Sequence, residues 1–268
     1  MQQQDPKPGG SAWDRRTTRW TMIQHAAGNA GSDEVDRAWH ALVERYREPV
    51  EYSLRRLLGS GHAAEEASTA FFGYLFEQKI LPKVDRAQGK FRQYMQAVLR
   101  RYVHDYVRSL GRRGASLSEA EFVALQGDPE VEADEERQWA RRSFALVLQA
   151  MLAEMPGVAP VFLDSTGLWP LVGKPDRPRL DRDQLAEKWQ ITKNNVDQRC
   201  FRARSFVREQ FRAEVSDLLV ADADDAAVGD ERLERELSLL QTRLAEALQQ
   251  LTPAETAALF AAEPDSVE

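Results

Sequence analysis

The sequence predicts an all-α protein built from two helical domains. Apolar residues recur at steps of three and four along most of the chain, which is the spacing of one face of an α-helix. The alternation of apolar and polar residues that a half-buried strand requires is almost absent. A hydrophobic fraction of 43% and a charged fraction of 29% suit a soluble helical protein with a packed core.

The first domain, residues 17–113, is predicted to be a compact helical bundle that follows a flexible N-terminus at 1–16. Four stretches show helical periodicity, and a turn-rich segment at 81–90 separates the last two. We expect Pro49 to interrupt or restart the second helix, because proline lacks an amide donor. The four helical stretches begin at Thr17, Asp33, Ala63 and Phe91.

The fourth helix, from Phe91 to about Leu110, combines basic and aromatic residues. A cationic groove with interleaved rings is typical of proteins that bind single-stranded nucleic acid, because the rings stack on bases. We interpret the arginines together with Tyr94 as such a surface, and Met95, Val98 and Tyr102 as core. The basic residues on this helix and its flanks are Lys90, Arg92, Arg100, Arg101, Arg108, Arg112 and Arg113.

Residues 114–137 are predicted to be an acidic linker, because glycine, proline and serine interrupt the helical pattern among many carboxylates. Helix is predicted to resume at about Trp139, inside a second domain that spans 138–215. The composition therefore places a boundary between two folding units in this acidic stretch.

A helical C-terminal extension is predicted at 216–268. Its leucines, from Leu233 to Leu248, recur at three- and four-residue steps, so this helix either dimerises or packs on its own protein or on a regulator. Thr252 and Glu255 have the spacing of a capping box, which predicts one last short helix.

Residues 184–212 follow the pattern of a helix-turn-helix. A first helix ends at Trp189, a three-residue turn follows, and Thr192 is the expected N-cap of a second helix that begins at Lys193. When such a motif binds DNA, side chains near the start of its second helix reach base edges in the major groove. The polar residues at those positions are Lys193, Asn194, Asn195, Asp197 and Gln198.

Charge favours DNA binding over a merely solvated helix at this position. Lys193 to Arg212 contains six basic residues against two acids, although the whole chain has a net charge of −7. Arginines along the second helix suit phosphate contacts. These are Arg199, Arg202, Arg204, Arg208 and Arg212.

Other classes of protein are disfavoured by composition and motifs. One cysteine, Cys200, rules out a disulfide framework, and no histidine pair has a metal-ligand spacing. Glycine-rich phosphate loops and serine elbows are absent, so we expect neither an enzyme nor a cofactor. No apolar run is long enough for a membrane span, and the polar N-terminus lacks a signal sequence, so a cytoplasmic location is expected.

The order of these features resembles an extracytoplasmic-function (ECF) type sigma factor of the sigma-70 superfamily. FRQYMQAVLRRYVHDYVRSLGRR, residues 91–113, is similar to the promoter-melting segment of that family. LAEKWQITKNNVDQRCFRARSFVREQF, residues 185–211, is similar to its helix-turn-helix that reads the minus-thirty-five element. The TTRW opening at Thr17 and the long C-terminal continuation resemble one subgroup of the family.

The resemblance implies a dissociable subunit that directs bacterial RNA polymerase core to promoters. Residues 17–113 would be its region-2-like domain and 138–215 its region-4-like domain, with an anti-sigma or other regulatory protein as a further partner. Minus-ten DNA would contact Asp85, Arg86, Gln88, Gly89, Lys90, Phe91, Arg92, Tyr94, Arg100, Arg101 and Arg108. Minus-thirty-five DNA would contact Thr192, Lys193, Asn194, Asn195, Gln198, Arg199, Arg202 and Arg204. The clamp helices of the largest polymerase subunit would contact Glu65, Glu66, Thr69, Phe72 and Phe76.

A second interpretation is a helix-turn-helix transcriptional regulator that does not engage polymerase core alone. The family usually carries an Asp-Leu-x-Gln-Glu run on the helix that docks on polymerase. Residues 66–70 of this chain read Glu-Ala-Ser-Thr-Ala, so the final acid is missing.

Overall fold

The computed structural model describes residues 19–58, 61–84, 91–111, 129–216, 226–248 and 251–260. These residues form ten α-helices and two short 3-10 helices, without a strand among them, and this confirms the predicted all-α class. The chain divides into two compact units with a boundary between Asp128 and Pro129. No helix in the described ranges is both long and apolar enough to cross a membrane.

The described part of the first unit contains four α-helices, which are α1 (Arg19–Ala26), α2 (Ser32–Leu58), α3 (Gly61–Glu77) and α4 (Phe91–Gly111), with a 3-10 turn at Leu81–Lys83. The long helix α2 contacts each of the other three. Its buried side chains include Leu42, Tyr46 and Leu54.

The prediction that Pro49 interrupts the second helix is wrong. Helix α2 runs through Pro49, whose ring is buried. Proline removes one backbone hydrogen bond from a helix interior, but α2 buries side chains both before and after this position. Packing on both sides therefore keeps the two halves in one helix.

The described part of the second unit contains six α-helices, two of which belong to the C-terminal extension. Phe144, Phe211 and Phe260 meet in its core, with ring centroids 5.0 to 6.2 Å apart. The helices are α5 (Pro129–Glu154), α6 (Ala159–Thr166), α7 (Arg182–Trp189), α8 (Lys193–Ser216), α9 (Ala226–Ala247) and α10 (Pro253–Phe260), with a 3-10 turn at Trp169–Val172.

The leucine stripe of the extension packs on its own protein. Helix α9 lies along α5 and also contacts α8, and all five leucines of the stripe are buried. Leu244, near the middle of the stripe, is 0% exposed. The stripe is therefore used within the chain, which decides between the alternatives that the sequence left open.

Helix α5 begins at Pro129, about ten residues before the predicted start, so 129–137 do not belong to a linker. The carboxylates of this stretch pair with arginines of the same unit. Arg137 contacts Asp134 at 3.0 Å and Glu246 of α9 at 3.4 Å, and Glu136 accepts a hydrogen bond from Arg243 of α9 at 3.0 Å. These acidic residues therefore join α5 to the extension.

Candidate nucleic-acid interface

The helix-turn-helix is capped at both of its helices. The carboxylate of Asp181 accepts hydrogen bonds from the amides of Asp183 and Gln184 at 2.8 and 2.9 Å, at the start of α7. Gln190 ends α7 in the left-handed conformation with φ of 51°. The hydroxyl of Thr192 accepts a hydrogen bond from the amide of Asn195 at 3.2 Å, which confirms Thr192 as the cap of α8.

Apolar contacts set the angle between the two helices. Leu185 of α7 packs with Val196 and Cys200 of α8 over Val161 of α6, and Ile191 of the turn lies against them. Cys200 is buried, as the sequence predicted, and burial raises the pKa of its thiol. The cysteine is therefore a small apolar packing residue of this motif.

A buried carboxylate that the sequence analysis missed ties α7 to α6. Asp164 is 1% exposed and accepts hydrogen bonds from the indole nitrogens of Trp169 at 2.9 Å and Trp189 at 3.0 Å. The ammonium group of Lys188 lies 2.8 Å from the same carboxylate. The available signal was an acidic residue directly after the apolar run Val158–Leu163, because a buried charge needs partners.

The start of α8 presents polar side chains at the surface. Thr192, Lys193, Asn194 and Gln198 are exposed, in agreement with a surface that could reach base edges. Lys193 is paired with Asp183 of α7 at 2.7 Å. These residues have the accessibility that base reading requires. Asn195, which is also predicted to read bases, is less accessible.

Asn195 is half-buried, whereas Asn194 and Gln198 are exposed. The side-chain oxygen of Asn195 is enclosed and has no hydrogen-bond partner among the described residues. Its backbone amide is used by the Thr192 cap. A side chain in this position contributes less accessible polar surface than Asn194 or Gln198. Of the residues predicted to read bases, Asn194 and Gln198 are therefore better placed than Asn195 to contact base edges.

The arginines of α8 fall into two groups. Arg199 donates to the carbonyl of Gly157 at 2.8 Å, Arg208 donates to the hydroxyl of Ser205 at 3.2 Å, and Arg212 pairs with Glu234 of the extension. By contrast, Arg202 and Arg204 are exposed and make no hydrogen bond or ion pair within the described part of the chain. Of the five arginines, these two have guanidinium groups available for phosphate.

The predicted minus-ten surface lies only partly within the described residues. Asp85, Arg86, Gln88, Gly89 and Lys90, and the side chain of Arg92, fall outside them. Arg100 is half-buried, whereas Arg101 and Arg108 on α4 are exposed.

The aromatic residues of α4 pack inside the first unit. Phe91 is buried against Tyr46, with ring centroids 5.3 Å apart, so its ring is covered in this structure and its contact with minus-ten DNA stays a prediction. Tyr94 is half-buried and donates its hydroxyl to the carbonyl of Ile80 at 3.1 Å. Tyr102 packs on Phe71, as predicted for a core residue, and burial raises the pKa of Tyr102 to about 12.

The residues predicted to dock on polymerase lie on α3 and differ in accessibility. Glu65, Glu66 and Thr69 are exposed. Phe76 is 59% exposed and contacts Trp39 of α2 edge to face, with centroids 5.4 Å apart. Phe72 is 6% exposed and packs in the helical core, and its contact with polymerase stays a prediction.

Comparison of the chain with protein-family models finds no matching family. Comparisons with curated proteins and with solved structures find no match either.

Proposed function

We propose that this protein is an alternative sigma factor of the ECF type, which directs bacterial RNA polymerase core to specific promoters in the cytoplasm. The observation that carries the proposal is the capped helix-turn-helix of the second unit. Its second helix exposes polar side chains in the first two turns and two arginines without an ion-pair partner in the described residues. Such a helix suits the major groove, with arginines placed for phosphates.

The first unit supports the part of the proposal that concerns polymerase and melted DNA. An exposed aromatic side chain, Phe76, lies on the same helix as exposed Glu65, Glu66 and Thr69. Aromatic anchors with a polar surround are typical of protein-protein interfaces. On α4, Arg101 and Arg108 offer exposed positive charge for the phosphates of separated strands.

The experiment is transcription in vitro with core polymerase from the source organism, followed by sequencing of the 5′ ends of transcripts made from genomic DNA. We expect start sites that require the protein and share upstream motifs. Phe76→Ser should abolish polymerase binding while duplex DNA binding by the second unit is retained. Initiation at unchanged levels with Phe76→Ser would remove the proposed docking surface.

Two substitutions on α8 separate base reading from phosphate binding. Gln198→Ala should change which minus-thirty-five sequences are preferred, at a cost of about 1–3 kcal/mol for a lost base contact. Arg204→Ala should weaken all sequences alike and reduce the salt dependence of binding. Equal losses on every sequence from both variants would show that Gln198 does not read bases.

The second candidate function is a helix-turn-helix regulator that does not engage polymerase core alone. It is favoured by the burial of Phe72 and by the missing acid at Ala70 in the docking run. Specific duplex binding without initiation, and without association with core polymerase, would select this alternative.

A further inference from the structure

The second unit contains an open groove between the first half of α8 and the last helix, α10. Its volume is about 960 Å³, which is at the upper end of the range for small-molecule sites. The α10 side is formed by Glu255, Ala258 and Leu259, and Leu251 lies just before this helix. The groove thus exists because the C-terminal extension lies beside α8.

Apolar residues form much of the groove. Leu185, Val196 and Leu259 are buried residues that line it. Phe201 of α8 also lines the groove and is 46% exposed, which makes it one of the largest accessible apolar side chains among the described residues. Binding of an apolar molecule would remove this surface from water, which is favourable.

Four arginines also line the groove, and only two of them are neutralised. Arg179 pairs with Glu255 at 2.6 Å, and Arg182 pairs with Asp197. The other two, Arg202 and Arg204, have no carboxylate partner in the described ranges. The described lining therefore carries two positive charges without a carboxylate partner, beside an apolar surface.

We propose that this groove binds a small amphipathic anion, with the apolar part against Phe201, Leu251 and Leu259 and the anionic group at Arg202 and Arg204. A medium-chain carboxylate has this chemistry. Guanidinium groups bind carboxylates with strong, charge-assisted hydrogen bonds, and the apolar lining selects against small inorganic anions. Binding in the groove therefore requires both the apolar part and the anionic group of the ligand.

One consequence depends on the proposed function. Arg202 and Arg204 are also the arginines available for DNA phosphates, so an anion bound there would compete with duplex DNA. Because coupling between two ligands is reciprocal, DNA would weaken binding of the anion by the same factor.

Calorimetric titration of the full chain with decanoate, below its micelle concentration and without DNA or polymerase, tests the binding itself. We expect saturable binding of one molecule per chain. Ala258→Trp would fill the groove from an exposed position on α10, and should weaken decanoate about tenfold or more. Ala257→Trp is the matched control, because Ala257 is exposed on the same helix but does not line the groove.

Two further probes separate the parts of the ligand. Decanol should bind far more weakly than decanoate, and the double variant Arg202→Gln, Arg204→Gln should remove most of that difference. Acetate should give no saturable heat. The proposal is overturned if decanoate does not saturate, if Ala258→Trp binds it like Ala257→Trp, or if decanol or acetate binds as well as decanoate. Since neither DNA nor polymerase is present, failure of the proposed promoter function leaves these results unaffected.

Discussion

Replacement of Asp164 should be among the most destabilising single changes in the second unit. This carboxylate accepts from two tryptophan indoles and lies 2.8 Å from Lys188. In Asp164→Ala two indole donors lose their acceptor in a largely buried site, which costs about 1–3 kcal/mol for each unsatisfied donor. The ammonium group of Lys188 is 43% exposed and can turn to water, so it adds at most about 1 kcal/mol.

We therefore expect Asp164→Ala to lower the free energy of unfolding of the second unit by about 2–6 kcal/mol. Asp164→Asn keeps the volume and one acceptor oxygen, so it should cost less, about 1–3 kcal/mol. Lys174→Met, the matched control, replaces an exposed lysine of the same unit that is not a partner of this carboxylate, and should cost at most about 0.5 kcal/mol. The three losses should fall in that order.

Urea unfolding of the full chain, followed by tryptophan fluorescence, measures these differences. Trp169 and Trp189 are themselves partners of the carboxylate, so their emission reports on the region that changes. The Asn variant keeps the test decisive if the Ala variant does not fold. A loss from Asp164→Asn no larger than that from Lys174→Met would refute the idea that this carboxylate joins α7 to α6.

Two other outcomes follow from the structure of the extension. Leu244→Ala should lower the free energy of unfolding by about 2–5 kcal/mol, because Leu244 is fully buried. The control is Ser238→Ala, at an exposed position of the same helix. A loss from Leu244→Ala no larger than that from Ser238→Ala would show that α9 is not part of the folded unit. Hydrogen bonds from Arg179 and then from Thr252 lower the pKa of Glu255 from 4.5 to about 2. The stabilisation by this pair is therefore present above about pH 4.5 and lost as pH falls through about 2. Carbon-detected NMR titration should give a Glu255 midpoint near pH 2. Arg179→Ala should move this midpoint up toward 4.5. An unchanged midpoint would exclude Arg179 as the cause of the lowered pKa.

Local features of the helix-turn-helix could be predicted from the sequence because their causes lie within a few residues. Thr192 is a cap since its hydroxyl meets an amide three positions later, at 3.2 Å. Thr252 and Glu255 form their reciprocal capping box in the same way, with hydrogen bonds of 2.8 and 3.2 Å. Cys200 falls on the buried face of α8 through helical periodicity alone.

Residues whose state depends on distant partners were harder to predict. The carboxylates of 129–137 have the composition of a linker, and they become helical surface because Arg243, more than a hundred positions later in the chain, lies close enough to pair with Glu136. Phe91 and Tyr94 belong to the basic-aromatic pattern that is typical of a nucleic-acid surface. In the structure, however, the ring of Phe91 packs on Tyr46 and the hydroxyl of Tyr94 donates to the carbonyl of Ile80. Asp164 gave one weak signal, an acid directly after an apolar run, and its donors could not be identified without the fold.

The sequence by itself determined that the chain is helical, where most of its helices lie, and that a capped helix-turn-helix precedes the extension. Periodicity and capping are local properties, and they suffice for those results. Only the tertiary structure decided that the leucine stripe is covered by α5, that Phe72 is core while Phe76 is exposed, and that Arg202 and Arg204 remain without a partner among the described residues. The physical reason is that periodicity marks a face of a helix, whereas long-range packing decides whether water, another helix or a ligand covers it.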